Sequence, residues 1–259
     1  SNIHCVATEA GLVFFDASMS TRVARRFRSD MEERFAAPTR ALVMTHAHLD
    51  HLLGMGAFSD VPVYAATAGR ARWDQVLAME WNDAAVARFG AVFPTLPDEI
   101  EDAKLRLPTD WFEDVLELGT ADAPLTIRRT GGHTVDSSSA IVGVDNVVIA
   151  GDLVQARRRP YFGEPDTDFD AWIGALEAWE AIAPKAICGG HGAVIDAAEL
   201  GEIRLWFHEA AAAMTVLKAR GATPETIVAG EELPAGYWPE DDPVPRWWGF
   251  CVRRLFLAS

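Results

Sequence analysis

The segment at residues 45–51 reads Thr-His-Ala-His-Leu-Asp-His, and it places three of the chain's seven histidines and one aspartate within six positions. Imidazole and carboxylate groups bind metal ions, and such a density of them is hard to explain without a metal. An apolar run at residues 41–44 precedes the segment and predicts a buried strand. The chain must therefore fold so that the end of this strand presents several metal ligands.

The spacing within the cluster indicates how the ligands divide. His46 and His48 are two residues apart, so in an extended turn their side chains lie on the same side and can share one metal ion. Asp50 and His51 follow where the chain turns into a helix, and they can face a second ion. The cluster contains no cysteine, which excludes a structural zinc site of the cysteine type, while nitrogen and oxygen ligands suit zinc, iron or manganese.

Three later residues occur in similar settings. His133 and His191 each lie beside glycines after apolar, β-branched runs, and Asp152 follows the run at residues 147–151. Binding sites are commonly built where strands end. We therefore expect these three side chains to join the cluster.

In this order, the motifs resemble those of the metallo-β-lactamase superfamily. His46 to His51 matches the HxHxDH motif, and Gly-Gly-His-Thr, Gly-Asp and Gly-Gly-His-Gly follow it, containing His133, Asp152 and His191. Asp16, which ends an apolar strand, matches an acidic residue that the family carries upstream. The resemblance extends from about residue 2 to about 195. It implies a mixed α/β fold, a four-layer αββα sandwich of the metallo-β-lactamase type.

The resemblance also implies a ligand set. One metal ion would be bound by His46, His48 and His133. The second would be bound by Asp50, His51 and His191. Asp152 would bridge the two ions, Asp50 would orient the attacking water and accept its proton, and Asp16 would hold a ligand or the cluster loop in place.

The function expected from these residues is that of a dinuclear hydrolase with two zinc ions per chain, with iron or manganese as alternative metals. A metal-bound hydroxide would attack a small ester, thioester, lactone or amide. Two alternatives stay open: a β-lactamase proper, and an oxidoreductase of the persulfide dioxygenase type with one iron. Metal content would separate the iron enzyme from the zinc enzyme.

Arginines follow Asp152 closely and are candidates for substrate binding. Arg157, Arg158 or Arg159 can bind a carboxylate or phosphate through two hydrogen bonds, and Tyr161 lies on the same loop. The alternative interpretation is a solvated run of positive charge on an acidic surface, because three adjacent arginines cannot all face one pocket.

Hydrophobic periodicity predicts a single domain over residues 1–259, with sheets covered by helices. Helices are expected at residues 20–36, 67–89, 168–183 and 196–220, and another is expected to begin at residue 223. An insertion at about 66–118 can cap the site as a lid or pack as ordinary helix. Its aromatic residues are Trp73, Trp81, Phe89, Phe93, Trp111 and Phe112. A helical extension covers about 196–259, and its tryptophans can line the pocket or form a homodimer contact.

Composition limits the partners and the compartment. The net charge of −15 repels phosphate backbones, so we expect a small-molecule substrate and no nucleic acid. No apolar run approaches 18 residues, so no membrane association is expected. Three widely spaced cysteines do not form a disulfide framework, which favours a cytoplasmic location.

Overall fold

The computed structural model of the chain describes residues 1–80, 83–90, 98, 103–120, 122–230, 232–239 and 243–259. It divides into two compact units. The first comprises Ser1–Arg129 and Ser138–Val144, and the second comprises Thr130–Ser137 and Asp145–Ser259. The described strands belong to two sheets and alternate with helices, which confirms the expected mixed α/β fold.

The first unit contains a five-stranded sheet with the strands in chain order. Its strands are β1 (His4–Thr8), β2 (Gly11–Phe15), β3 (Thr39–Val43), β4 (Val63–Ala66) and β5 (Asp110–Phe112). Strands β1 and β2 form an antiparallel hairpin, and β2 to β5 are parallel neighbours. All five residues of β2 are buried, as expected for an apolar run in the middle of a sheet.

The same unit contains three further strands and most of the shorter helices. The strands β6 (Val115–Glu117), β7 (Leu125–Arg129) and β8 (Ser138–Val142) are antiparallel. The helices are α1 (Thr21–Phe35), α2 (Leu49–Leu52), α3 (Arg70–Leu77) and α4 (Asp83–Gly90), with 3-10 turns at Leu53–Phe58 and Thr67–Gly69. Ser20 caps α1 by accepting a hydrogen bond from the Val23 amide.

The single helix predicted at residues 67–89 is wrong. The chain leaves the helical conformation after Leu77, where the Ala78 amide bonds back to the carbonyl groups of Asp74 and Val76, and a separate helix begins at Asp83. Trp73 is fully buried in the core of this unit, and its ring meets Trp111 edge to face. Trp73 is therefore a packing residue, whereas Trp81 and Phe93 lie outside the described residues.

The second unit contains β9 (Val147–Gln155), β10 (Ile187–His191) and β11 (Val194–Ile195). Strands β9 and β10 are parallel, and β10 and β11 are antiparallel. The helices are α5 (Phe169–Ala181), α6 (Ala197–Ala219), α7 (Pro224–Gly230) and α8 (Trp248–Ala258). Helix α5 connects the two parallel strands, as such a crossover requires. Both strands run further than predicted, so Asp152 and His191 lie within strands rather than after them.

An aromatic core fills the second unit. Four buried rings pack in series, and the centroids of successive rings are at most 6.2 Å apart. They belong to Trp172, Phe207, Trp206 and Trp248. Trp248 belongs to α8, within the extension that was expected to be helical over about 196–259. The burial of Trp248 and Trp238 assigns these two tryptophans to the core. Within the described residues, no helix is both long enough and apolar enough to cross a bilayer.

Candidate metal centre

In the first unit, the histidine cluster occupies the segment between β3 and α2. His46, Asp50 and His51 are buried, and His48 is half-buried. Nε2 of His46 lies 3.0 Å from Nδ1 of His48, and Nε2 of His51 lies 3.6 Å from Oδ2 of Asp50. The structure thus brings His46 next to His48 and Asp50 next to His51.

Asp16 holds this segment from the end of β2. Its carboxylate accepts hydrogen bonds from the Thr45 amide and hydroxyl, both at 2.8 Å, and from Nδ1 of His51 at 2.7 Å. Because the Thr45 hydroxyl donates to Asp16, its oxygen accepts from Nδ1 of His46 at 3.0 Å. Both rings therefore carry their proton on Nδ1 and present the lone pair of Nε2 as the metal-binding atom.

Replacing Asp16 with asparagine should weaken metal binding by about 10- to 100-fold, because the amide has no negative charge and its NH2 group cannot accept the hydrogen bond that one carboxylate oxygen now accepts from Thr45 or His51. The dissociation constant, measured by competition with a chromogenic chelator, tests this expectation. Asp30→Asn is the matched control, since Asp30 is an exposed residue of α1 paired only loosely with Arg26. Equal affinities in the two variants would contradict the proposed role of Asp16.

In the second unit, His133 follows two glycines with positive φ angles, 67° at Gly131 and 94° at Gly132. A Cβ on Gly132 would lie 3.0 Å from the Trp172 Cα, so the close approach of α5 requires glycine there. The His133 ring is fully buried and meets Trp172 edge to face. Its Nδ1 donates to the Tyr161 carbonyl oxygen at 2.9 Å, which makes Nε2 the metal-binding atom of this ring too.

Asp152 joins the two candidate histidines of this unit. Its Oδ2 lies 3.7 Å from Nε2 of His133 and 3.4 Å from Nε2 of His191. Asp152 and His191 come together because β9 and β10 are parallel neighbours. A Cβ on Gly190 would lie 2.0 Å from Oδ1 of Asp152, so only glycine at this position leaves room for the carboxylate.

The side chains fit a metal ion by their chemistry and by their spacing. Two ligands bound at 2.0–2.1 Å to a tetrahedral zinc ion lie about 3.3 Å apart. The ligand pairs within the units are separated by 3.0 and 3.6 Å in the first and by 3.4 and 3.7 Å in the second. Burial raises the pKa of all three cysteine thiols, which disfavours the thiolate form that binds metals. The fitting ligands are therefore nitrogen and oxygen.

The four candidate substrate-binding residues at 157–161 have different surroundings. Arg157 pairs with Glu199 at 2.9 Å on the exposed side of the loop, and Arg159 stacks over the Trp238 and Trp248 rings. Arg158 meets a candidate ligand, with Nη1 3.2 Å from Nδ1 of His191. The Tyr161 hydroxyl donates to Glu164 at 3.1 Å.

Arg72 is a site residue that the sequence analysis missed. It lies on α3, and its Nη2 is 3.0 Å from Nε2 of His48. In the sequence it is one arginine within an ordinary helical pattern, 24 residues after His48. Only the packing of α3 identifies it, because a helix can present any of its faces to the cluster.

Comparison with known proteins identifies the family. The model of the metallo-beta-lactamase superfamily matches residues 1–191, which include all seven candidate ligands. The chain belongs to the metallo-beta-lactamase superfamily. No match was found among curated proteins. Members of this superfamily are generally metal-dependent hydrolases, and the His and Asp groups of this chain indicate a metal site.

Solved structures of the metallo-beta-lactamase fold confirm the expected fold type. The stereoselective inverting sec-alkylsulfatase Pisa1 from Pseudomonas sp. is 17% identical and has a TM-score of 0.73. That alignment covers 99% of this chain and 47% of the alkylsulfatase, so this chain spans about half of that relative. A metallo-beta-lactamase from Pontibacter korlensis is 20% identical over 79% of this chain and 85% of its own, with a TM-score of 0.57.

A third structure of this superfamily fold was solved with metal bound. TTHA1623 in its di-iron-bound form is 21% identical, with a TM-score of 0.59. The alignment covers 78% of this chain and 92% of TTHA1623. At these identities the similarity shows the fold alone.

Proposed function

We propose that the protein is a dinuclear metal-dependent hydrolase, with zinc as its metal, acting on a small ester, thioester, lactone or amide. The observation that carries this proposal is the orientation of three histidine rings. His46, His51 and His133 each donate a hydrogen bond from Nδ1 to a protein oxygen, so each presents Nε2 as a ligand atom. Hydrogen bonds of this kind are typical of rings that bind catalytic metals.

The proposed ligand assignment follows that of the superfamily. One ion would be held by His46, His48 and His133. The other would be held by Asp50, His51 and His191. Asp152 would contact both ions, which is supported by the position of its Oδ2 between the Nε2 atoms of His133 and His191. A set of nitrogen and oxygen ligands with no cysteine suits zinc, and also iron or manganese.

The residues of the chain have distinct roles in the proposed reaction. Two divalent ions, when bound, lower the pKa of water to near neutrality and polarise the group under attack. The Asp50 carboxylate would accept the proton of the attacking water and pass it to the leaving group. Asp16 and the Tyr161 carbonyl hold two of the histidine rings in their ligating tautomer. Burial of these side chains keeps bulk water away and strengthens their electrostatic effect.

A second candidate function is hydrolysis of an alkyl sulfate ester. It is favoured by the extent of the match to Pisa1, which covers 99% of the chain, whereas the matches to the Pontibacter lactamase and to TTHA1623 cover 79% and 78%. Sulfate esters and carboxylate esters both develop negative charge on oxygen during hydrolysis, so the same ligand set can serve either substrate.

Metal analysis combined with a substrate panel tests the proposal. We expect about two zinc ions per chain and turnover of at least one substrate among 4-nitrophenyl acetate, an acyl thioester, a lactone, nitrocefin and an alkyl sulfate. His48→Ala should lower both metal content and turnover by orders of magnitude, while His208→Ala, an exposed residue of α6, should change neither. One iron per chain with no hydrolysis would instead favour the persulfide dioxygenase alternative and overturn the proposal.

A further inference from the structure

We infer that Arg72 binds an oxyanion group of the substrate, so that the substrate is a small ester carrying a carboxylate or sulfate. This inference rests on the proposed function and names the substrate class of the same site. Arg72 lies on α3, in the segment of the sequence between His51 and His133.

The position of Arg72 is fixed by its neighbours in the first unit. Trp73, the next residue of α3, is fully buried and meets Trp111 edge to face, which anchors the helix. The Arg70 guanidinium stacks over the Trp111 ring at 4.2 Å, so it is directed to a different contact. Arg72 is half-buried and directs its guanidinium to Nε2 of His48 at 3.0 Å.

The donors and acceptors in these hydrogen bonds indicate how the contact between Arg72 and His48 would change on metal binding. A guanidinium only donates, so Nε2 of His48 accepts and the ring proton lies on Nδ1, 3.0 Å from Nε2 of His46. These two nitrogens are the facing ligand atoms of the pair. A neutral His48 that binds a metal through Nδ1 carries its proton on Nε2 instead. Nε2 then donates and can no longer accept from Arg72.

The second unit contains an independent example of the same arrangement. Arg158 directs Nη1 to Nδ1 of His191, while Nε2 of His191 lies 3.4 Å from Oδ2 of Asp152. With Nε2 bound to a metal, Nδ1 carries the proton and can no longer accept from Arg158. In each unit, therefore, a guanidinium would lose a histidine nitrogen as its acceptor when a metal binds. In a chain with a net charge of −15, guanidinium groups beside candidate ligands favour an anionic substrate, which each can bind through two hydrogen bonds.

Steady-state kinetics with a matched substrate pair tests the role of Arg72. The zinc-loaded full chain and its Arg72→Gln variant would be assayed with 4-nitrophenyl butyrate, which is neutral, and mono-4-nitrophenyl glutarate, which carries a carboxylate. We expect the KM for the glutarate ester to rise about tenfold or more, with the KM for the butyrate ester unchanged. Arg70→Gln is the matched control and should leave both values unchanged. 4-Nitrophenyl sulfate, assayed alongside, distinguishes a sulfate substrate from a carboxylate.

Binding of inorganic sulfate provides a readout that does not depend on turnover. Titration calorimetry of the zinc-loaded chain should show sulfate binding that weakens about tenfold or more in Arg72→Gln and is unchanged in Arg70→Gln. Equal sulfate affinity and equal KM values in Arg72→Gln and the wild type would overturn the inference and leave the proposed function intact. If the wild type hydrolyses neither these esters nor any substrate of the panel, the proposed function fails, and the calorimetry alone decides the role of Arg72.

Discussion

Asp152→Asn should lose most of the bound metal and lower kcat/KM by about a thousandfold. The carboxylate meets two histidines of its unit, with its Oδ2 at 3.7 Å from His133 Nε2 and 3.4 Å from His191 Nε2. An amide has the same shape but lacks the negative charge that favours a cation. Metal catalysis contributes several kcal/mol of transition-state stabilisation, and about 4 kcal/mol corresponds to a thousandfold in rate.

The measurement combines metal content by mass spectrometry with kcat/KM on the best substrate of the panel. Asp145→Asn is the control, because Asp145 is an exposed residue just before β9 that pairs with Lys185 at 2.8 Å. Circular dichroism of both variants would establish that they fold. A folded Asp152→Asn protein that keeps two metals and full turnover would refute the bridging role proposed for Asp152.

Trp172→Ala should destabilise the second unit by about 3–5 kcal/mol, because removing a large buried side chain leaves a cavity. Trp172 is fully buried, its Nε1 donates to the Leu153 carbonyl at 2.9 Å, and its ring packs against His133 and Phe207. Domains of this size are stable by only about 5–15 kcal/mol. The substitution therefore removes a large fraction of the total stability, and it also removes the support of the His133 ring.

Urea unfolding followed by tryptophan fluorescence and circular dichroism measures this effect. Trp172→Phe keeps an aromatic ring but loses the hydrogen bond to Leu153, so it should cost only about 1–2 kcal/mol. The comparison separates ring packing from hydrogen bonding. A Trp172→Ala protein within 1 kcal/mol of the wild type would mean that the core closes around the missing ring.

The elements that could be predicted from the sequence are those in which local pattern and tertiary environment agree. Helix α1 was predicted within one residue at each end, from an apolar series that includes Val23 and Phe35. Only the middle of that series faces the core, since Phe27 and Met31 pack against it beside the buried Ala24 whereas Val23 and Phe35 are about half exposed. Apolar residues spaced four apart indicate a helix, but they do not stay on one face of it, because a helical turn has 3.6 residues. Only the position of the sheet decides which face is buried.

The tail was predicted only coarsely, as the end of a helical extension at about 196–259. Its last helix was given no bounds, although its buried residues have helical spacing on one side of α8: Trp248, Cys251, Val252 and Leu255. Arg72 is a different case, because its role depends on which residue of α3 faces His48, and that is a property of packing between segments distant in sequence. The candidate ligands themselves could be picked out from the sequence because metal binding requires particular residue types, and the motifs that contain them follow one another in a particular order along the chain.

Burial of the acidic side chains links metal binding to folding. Asp16, Asp50 and Asp152 are only 1%, 8% and 5% exposed, and transferring a carboxylate from water into the protein interior costs free energy. Bound divalent cations would offset that cost, so each ion that binds the folded chain also shifts the folding equilibrium toward it. Unfolded chains are the ones that cellular proteases remove. Metal supply would therefore set how long each chain survives, as well as whether it can react.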